Sequence, residues 1–186
     1  MQQLTELIRI LVILCSTHTH GKLHDNRTEA YLDKLPHKVM TCGPFSNYVA
    51  KKLKKKDFVV RRVCVLTLNE WDNRNNGHEM IEVFIGNRWL LFDVDMHCFY
   101  VQGDKILNTY QLVEIVKRKE QFTIIPILDD IDIETIEKQI RHLCHVSMMR
   151  DGHTWYGDKK NMKRIGSYHR SYRYRNDYKK KYYPES

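Results

Sequence analysis

The chain has 186 residues and a mass of 22.4 kDa, enough for one domain with its own hydrophobic core and too little for two ordinary domains. Its 42% hydrophobic and 29% charged residues are typical of a globular protein and exclude a wholly disordered chain. The net charge of +8 lies at the carboxyl end: residues 159–186 hold ten Lys or Arg and two acids, and the other 158 residues hold 21 of each sign. We therefore expect a domain over residues 1–158 and a basic Tyr/Arg/Lys-rich tail over 159–186.

The cysteines and the first hydrophobic run indicate the cellular compartment in which the protein is expected. The five cysteines are odd in number and form no C-x-x-C pair, which argues against a disulfide framework and favours a reducing compartment. Glu6 and Arg9 interrupt the apolar run Leu4–Cys15, and no basic segment precedes it. The run is also too short to span a bilayer. We expect a cytoplasmic protein without a signal peptide or membrane span.

The sequence pattern predicts mainly helices in the first third of the chain. They are a helix over Leu4–Cys15, a polar loop over Ser16–Arg27, a short helix over Thr28–Leu35, and a helix that begins near Cys42. In the last of these, Phe45, Val49 and Leu53 recur at four-residue spacing, which is the period of one helix face. Cys42 is therefore expected at a helix N-terminus.

The middle of the chain predicts a sheet. Phe58–Leu68 is one strand, and the residues from His78 to Val94 form two more around Gly86-Asn87, a pair suited to a two-residue hairpin turn. With that turn Ile85 pairs with Arg88, and continuing the register places Asp95 opposite His78. We expect three antiparallel strands.

The last part of the domain predicts two helices and a strand. Asn108 and Gln111 form a capping box at the start of one helix. A strand over Phe122–Leu128 and an amphipathic helix over Ile133–Met149 follow.

These elements supply the residues that an activated cysteine needs: the cysteine itself, a histidine base and a carboxylate. A helix N-terminus stabilises the thiolate of Cys42 through the helix dipole and unpaired backbone N–H groups. Strand alternation projects His78, Asp93 and Asp95 from one side of the hairpin, where a histidine base and a carboxylate that orients it are needed. Asp93 is a diagonal neighbour of His78 and Asp95 lies directly opposite, so register alone does not choose between them.

Four motifs follow one another between Val39 and Tyr100. Thr-Cys-Gly precedes a helix, Val-Val-Arg-Arg-Val lies in a strand, and Gly-His-Glu-Met-Ile-Glu-Val is followed by Gly-Asn-Arg-Trp-Leu-Leu-Phe-Asp. Together these motifs resemble those of the transglutaminase-like superfamily. The resemblance implies an α+β papain-like fold in which the nucleophile helix packs on an antiparallel sheet, with extra N- and C-terminal helices. It also implies a triad of Cys42 as nucleophile, His78 as base and Asp93, in preference to Asp95, as the orienting residue.

Some positions depart from this family's pattern. Glu79 and Met80 replace the aromatic or small residues that often follow the histidine, and Val94 replaces a common proline. None of these changes removes a catalytic atom, whereas the upstream donor of an oxyanion hole is not identifiable. Arylamine acetyltransferases fit less well because they are longer and carry Arg-Gly-Gly before the cysteine, and enzymes closer to papain orient their histidine with Asn.

The predicted function is a cysteine hydrolase or acyltransferase that cleaves an amide bond, peptide or isopeptide, through a Cys42 thioester. The alternative is a catalytically idle binding module of the same fold, docked to an anionic partner such as a nucleic acid or glycan by residues 159–186. A purely solvated tail is equally compatible with its composition.

No cofactor is expected. His18, His20 and His24, and separately His142 with His145, have the residue type of metal ligands, but solvated histidines are the simpler interpretation. Trp71, in the loop before His78, is a candidate for covering the active site.

Overall fold

A computed structural model describes the backbone of residues 2–67, 77–140, 143–151, 154–157, 172–174 and 177–184. Its helices are α1 (Gln2–Cys15), α2 (Glu29–Leu32), α3 (Cys42–Lys54), α4 (Thr109–Lys117), α5 (Ile133–Ile140) and α6 (Tyr178–Tyr182). Its strands are β1 (His18–His20), β2 (Lys38–Met40), β3 (Val60–Thr67), β4 (Gly77–Ile85), β5 (Arg88–Asp93), β6 (Cys98–Gln102), β7 (Lys105–Ile106), β8 (Thr123–Pro126), β9 (Leu143–Asp151), β10 (Thr154–Gly157) and β11 (Tyr172–Tyr174).

Most of these strands form one large sheet. Its order within the described residues is β11-β10-β9-β3-β4-β5-β6-β7, and β8 pairs with β6 off that path. The central pairs are antiparallel, and among the described strands of this sheet only β10 and β11 run parallel. A separate parallel pair, β1 and β2, leads directly into α3. The predicted α+β class with an antiparallel sheet and helices is confirmed, and it is compatible with a papain-like fold.

Apolar side chains pack on both faces of the sheet. Because neighbouring residues of a strand point to opposite faces, Ile81 and Val83 of β4 contact the cluster that holds α1 and α3, whereas Met80 contacts the cluster that holds α4 and α5. Phe45 and Leu53 of α3 are fully buried in the first cluster. The helix that begins at Cys42 is thus held against the sheet over its whole length.

Several local predictions are confirmed. Gly86 and Asn87 have φ values of 58° and 65°, the left-handed conformation that a two-residue hairpin turn requires, and Ile85 pairs with Arg88 as expected. Both halves of the capping box between Asn108 and Gln111 form at the start of α4. These features depend on residues close in sequence, so the pattern was sufficient to predict them.

The helix predicted over Ile133–Met149 is wrong beyond its first half. It ends at Ile140, and Leu143–Asp151 forms strand β9, which pairs antiparallel with β3. The apolar spacing does continue at helical period, but the ladder to a strand some 80 residues earlier in the chain satisfies the backbone groups instead. The loop predicted over Ser16–Arg27 also contains the short strand β1.

Parts of the predicted tail pack on the domain. Tyr172–Tyr174 forms β11 at the edge of the large sheet, and Tyr183 is buried in the cluster beneath β4. The boundary at residue 158 remains a prediction. Trp71 and His142 lie outside the described residues, as does the side chain of His145. No helix in the described part of the chain is long and apolar enough to cross a membrane.

Candidate active site

Cys42 is the first residue of α3. Its neighbour Thr41 has extended backbone angles, and its N–H and hydroxyl both donate to the carboxylate of Asp25 at 2.8 Å rather than capping the helix. The N-cap side chain therefore leaves the first-turn N–H groups uncovered, as an oxyanion site requires.

Close packing brings this helix end onto β4. A Cβ atom added at Gly43 would lie 3.3 Å from a carboxylate oxygen of Glu79, and the hydroxyl of Ser46 donates to the Glu79 carbonyl oxygen at 3.0 Å. The Glu79 carboxylate is itself paired with Arg62. Glu79 thus positions the helix beside His78.

His78 lies between a thiol and a carboxylate. Its Nε2 atom is 2.7 Å from Oδ2 of Asp93, a hydrogen bond in which the ring donates. This contact leaves Nδ1 as the ring nitrogen that can accept a proton. The Sγ atom of Cys42, a ring nitrogen of His78 and a carboxylate oxygen of Asp95 all lie within 4.8 Å of one another.

Asp93 is fully buried and held on both oxygens. Oδ2 also accepts from the Tyr100 hydroxyl at 3.0 Å, and Oδ1 accepts from the backbone N–H of Met96 at 3.1 Å. Burial and the nearby Asp93 raise the pKa of Tyr100 well above its usual value, so that its hydroxyl remains a donor. Asp93 is therefore a rigid acceptor for His78.

These surroundings shift the protonation of His78. Burial lowers the pKa of a histidine, but the Asp93 carboxylate and the adjacent Cys42 act in the opposite direction, and the pKa of His78 is raised well above its usual value. Since the imidazolium is the favoured form beside these groups, the site suits a transfer of the thiol proton to the ring.

Asp95 has different partners. The hairpin ladder ends at the pair Ile81–Phe92, and the chain turns at residues 94–97, so the extrapolated pairing of Asp95 with His78 is wrong. The buried carboxylate of Asp95 instead lies 2.9 Å from Nδ1 of His20, whose side chain is exposed. Burial is the main cause of the raised pKa of Asp95.

The three early histidines do not converge on one point. His18 contacts the Met40 carbonyl oxygen and the ring of His97, each at 3.0 Å, and burial lowers its pKa to about 4. The Asp95 carboxylate lies 2.9 Å from Nδ1 of His20 and 3.7 Å from Nε2 of His18, whereas His24 accepts from the Val39 N–H at 3.0 Å. Two of the three histidines thus approach Asp95, and His24 has a different partner.

Sequence reasoning missed three groups around the site. They are the Tyr100 hydroxyl, the Met96 N–H and the ring of His20. The polar Tyr100 within an apolar strand was a usable signal, because a buried hydroxyl needs a partner. His20 carried no such signal because it lies 75 residues from Asp95 in sequence.

Comparison with known proteins gives little further identification. No protein-family model matches the chain, and no curated protein matches it significantly. Among solved structures, the chain is similar to a protein from Cytophaga hutchinsonii that is provisionally named a cysteine protease. The similarity has a TM-score of 0.39 and 16% identity, and covers 48% of this chain and 30% of that one. A likeness of this size carries no argument about function, so the case rests on the site itself.

Proposed function

We propose that the protein is a cysteine hydrolase or acyltransferase that cleaves an amide bond through a thioester on Cys42. The observation that carries this proposal is the grouping of the Cys42 sulfur and a His78 ring nitrogen within 4.8 Å, together with the bond from Nε2 of that ring to buried Asp93. A nucleophile, a base and a group that orients the base are the three parts that such chemistry needs.

The proposed reaction runs in two halves. His78 takes the thiol proton through Nδ1, and the sulfur of Cys42 attacks the carbonyl carbon of the amide. The tetrahedral intermediate collapses as the C–N bond breaks, and the proton on His78 passes to the leaving nitrogen. Water, activated by the same ring, then attacks the thioester and regenerates the thiol, whereas an amine in place of water gives acyl transfer.

The surrounding groups have supporting roles in this scheme. Asp93 holds the Nε2–H tautomer of His78, and Tyr100 and the Met96 N–H hold Asp93. We expect the N–H groups of Cys42 and Gly43 in the first turn of α3 to stabilise the oxyanion, since Pro44 has no N–H.

The substrate class follows from the resemblance and the shape of the site. The transglutaminase-like pattern implies a peptide or isopeptide amide as the bond that is cleaved, with water or an amine as the acceptor. A cavity of about 320 Å³ adjoins the first turn of α3 at Gly43 and Pro44 and offers room for one side chain of a peptide.

The test uses the contrast among the chain's own cysteines. Cys42 is partly exposed, whereas Cys15, Cys64 and Cys98 are buried, and burial raises the pKa of Cys15 and Cys98. Brief treatment with iodoacetamide at pH 6, followed by peptide mass mapping, should label Cys42 first. The His78→Gln variant should lose that preference while its circular dichroism spectrum shows that it is still folded.

A second measurement follows acylation directly. p-Nitrophenyl acetate should give a burst of nitrophenolate equal to the concentration of active sites, and the Cys42→Ser variant should give none. Uniform slow labelling of all cysteines together with no burst would show that the chemistry is idle, which favours a binding module of the same fold.

A further inference from the structure

The candidate active site holds more negative than positive groups. Asp93 and Asp95 are both buried, and the thiol beside them is a third potential anion. Among the residues that the structure describes, neither carboxylate is paired with Lys or Arg; Asp93 is paired with His78, and Asp95 lies near His20 and, at 3.7 Å, His18. A site with two buried carboxylates and no fixed cation attracts a mobile one.

The residue types match a soft divalent cation. A thiolate, an imidazole and a carboxylate are all ligands that Zn²⁺ accepts, whereas Mg²⁺ and Ca²⁺ prefer oxygen alone. Tetrahedral zinc ligands at their usual bond lengths lie about 3.3–3.8 Å apart. The ligand atoms of Cys42, His78 and Asp95 lie within 4.8 Å of one another, so shifts of about 1 Å bring all three onto one ion.

Two further contacts hold these side chains as a metal site would need. The Nε2–H of His78 donates to Asp93, which directs Nδ1 to the other side of the ring, and Nδ1 of His20 lies 2.9 Å from Asp95. Metal-bound histidines and carboxylates usually have such outer partners, which fix their orientation and strengthen binding. Cys42 and His78 are only partly buried, so water has access to a fourth position.

We propose that Cys42, His78 and Asp95 form a binding site for a divalent cation of the zinc class, which reversibly closes the nucleophile. On binding, the S–H bond of Cys42 is replaced by a sulfur–metal bond and its proton passes to solvent. The metal also takes the lone pair of Nδ1, so that His78 no longer serves as a base. Asp95, which has no part in the proposed hydrolysis, thereby gains a role.

Inhibition of the enzyme by the cation rests on the proposed function, whereas binding of the cation does not. The test therefore begins with binding alone, using the full chain treated with EDTA and dialysed. Titration calorimetry with ZnCl₂ should show one site, and CoCl₂ should give the tetrahedral visible bands together with a near-ultraviolet thiolate-to-cobalt band. The thiolate band identifies the ligand without any activity measurement.

Variants assign the ligands. Cys42→Ser should abolish the thiolate band, and Asp95→Asn should weaken zinc binding about 10- to 100-fold. The matched control is His24→Gln, which alters one histidine of the group His18, His20 and His24 and should leave zinc affinity unchanged. Circular dichroism and melting temperature check that each variant folds.

Each outcome decides the proposal. Binding that persists in Cys42→Ser and Asp95→Asn but disappears in His24→Gln overturns it, as does the absence of saturable binding. Zinc that accelerates the acetate burst instead of suppressing it overturns the inhibitory role. A missing burst with intact cobalt bands contradicts the hydrolase but supports the cation site, so the two proposals fail separately.

Discussion

Two buried carboxylates on adjacent strands, Glu82 of β4 and Asp93 of β5, have opposite surroundings. Glu82 is fully buried and lies 2.6 Å from Nε of Arg61, and it accepts from both the N–H and the hydroxyl of Thr109 at 2.8 and 2.7 Å. The hydroxyl of Tyr183 lies 3.2 Å from both of its oxygens. Every partner is a donor whose charge does not change near neutral pH.

The Arg61 guanidinium is covered as well. It lies 3.8 Å above the ring of Trp89 and 4.6 Å from that of Tyr183, and one of its nitrogens donates to the Tyr182 carbonyl oxygen at 3.1 Å. The cluster therefore joins β3, β4, α4 and the end of the chain while water has little access. Such an enclosed ion pair helps to specify one folded structure, and a substrate cannot reach it.

Asp93 is equally buried, but its partner is the titratable ring of His78, a nitrogen of which lies within 4.8 Å of a thiol sulfur. The comparison teaches that burial of an acid says little about its role. A permanent cation and full enclosure indicate structure, whereas a histidine open to a nucleophile indicates chemistry. Substitutions in each cluster test whether the two separate in this way.

The largest effect is expected for Asp93→Asn, which should slow the burst of nitrophenolate from p-nitrophenyl acetate by about 10²- to 10⁴-fold. The Met96 N–H can only donate, so it selects the amide oxygen and turns the NH₂ group toward His78 and Tyr100. Both of those groups can switch to accepting, which leaves the proton on Nδ1 of His78, the wrong nitrogen. Asp95→Asn is the matched control, and equal slowing by both variants would contradict the assignment.

Next in size is Glu82→Gln, which should lower the free energy of unfolding by about 3–5 kcal/mol in urea denaturation because buried Arg61 loses its counter-ion. The burst per folded molecule should stay near that of the unchanged protein. For comparison, Glu134→Gln removes an exposed pair with Lys138 and should cost less than about 0.5 kcal/mol. A burst defect in folded Glu82→Gln would mean that the two clusters are coupled.

A smaller loss is expected for Tyr183→Phe, which removes one hydroxyl donor from Glu82 and leaves the ring in place. We expect about 1–2 kcal/mol in the free energy of unfolding, since other donors to the carboxylate remain. Tyr31→Phe, at an exposed tyrosine, is the control and should change little. A neutral result for Tyr183→Phe would show that the end of the chain is not anchored by this hydrogen bond.

The smallest effect concerns pH and His78. Its pKa in the folded protein is raised above the unfolded value of 6.5, so protonated His78 adds stability that is fully present below about pH 6.5 and is lost as pH rises through the folded pKa. In a Cys42→Ser background, the stability difference between His78 and His78→Gln should therefore shrink from pH 6 to 10. The change is modest because neutral His78 still donates to Asp93. A difference that grows with pH would contradict the sign.

Much of the site follows from local pattern. Phe45, Val49 and Leu53 recur at helical spacing and place Cys42 at a helix start, and Gly86-Asn87 defines the register that brings His78 beside Asp93. These features depend on residues within one turn or one hairpin, where backbone geometry leaves few alternatives. The same reasoning failed for Leu143–Asp151, where pairing with a distant strand prevailed over apolar spacing.

The sequence by itself thus determined which residue types stand at the helix start and on the hairpin. Only the tertiary structure decided that Cys42 meets His78, that the Met96 N–H and Tyr100 hold Asp93, and that Asp95 is left beside His20. Those contacts join segments far apart in the chain, and they form because packing both faces of the sheet buries apolar surface that no single segment can bury alone.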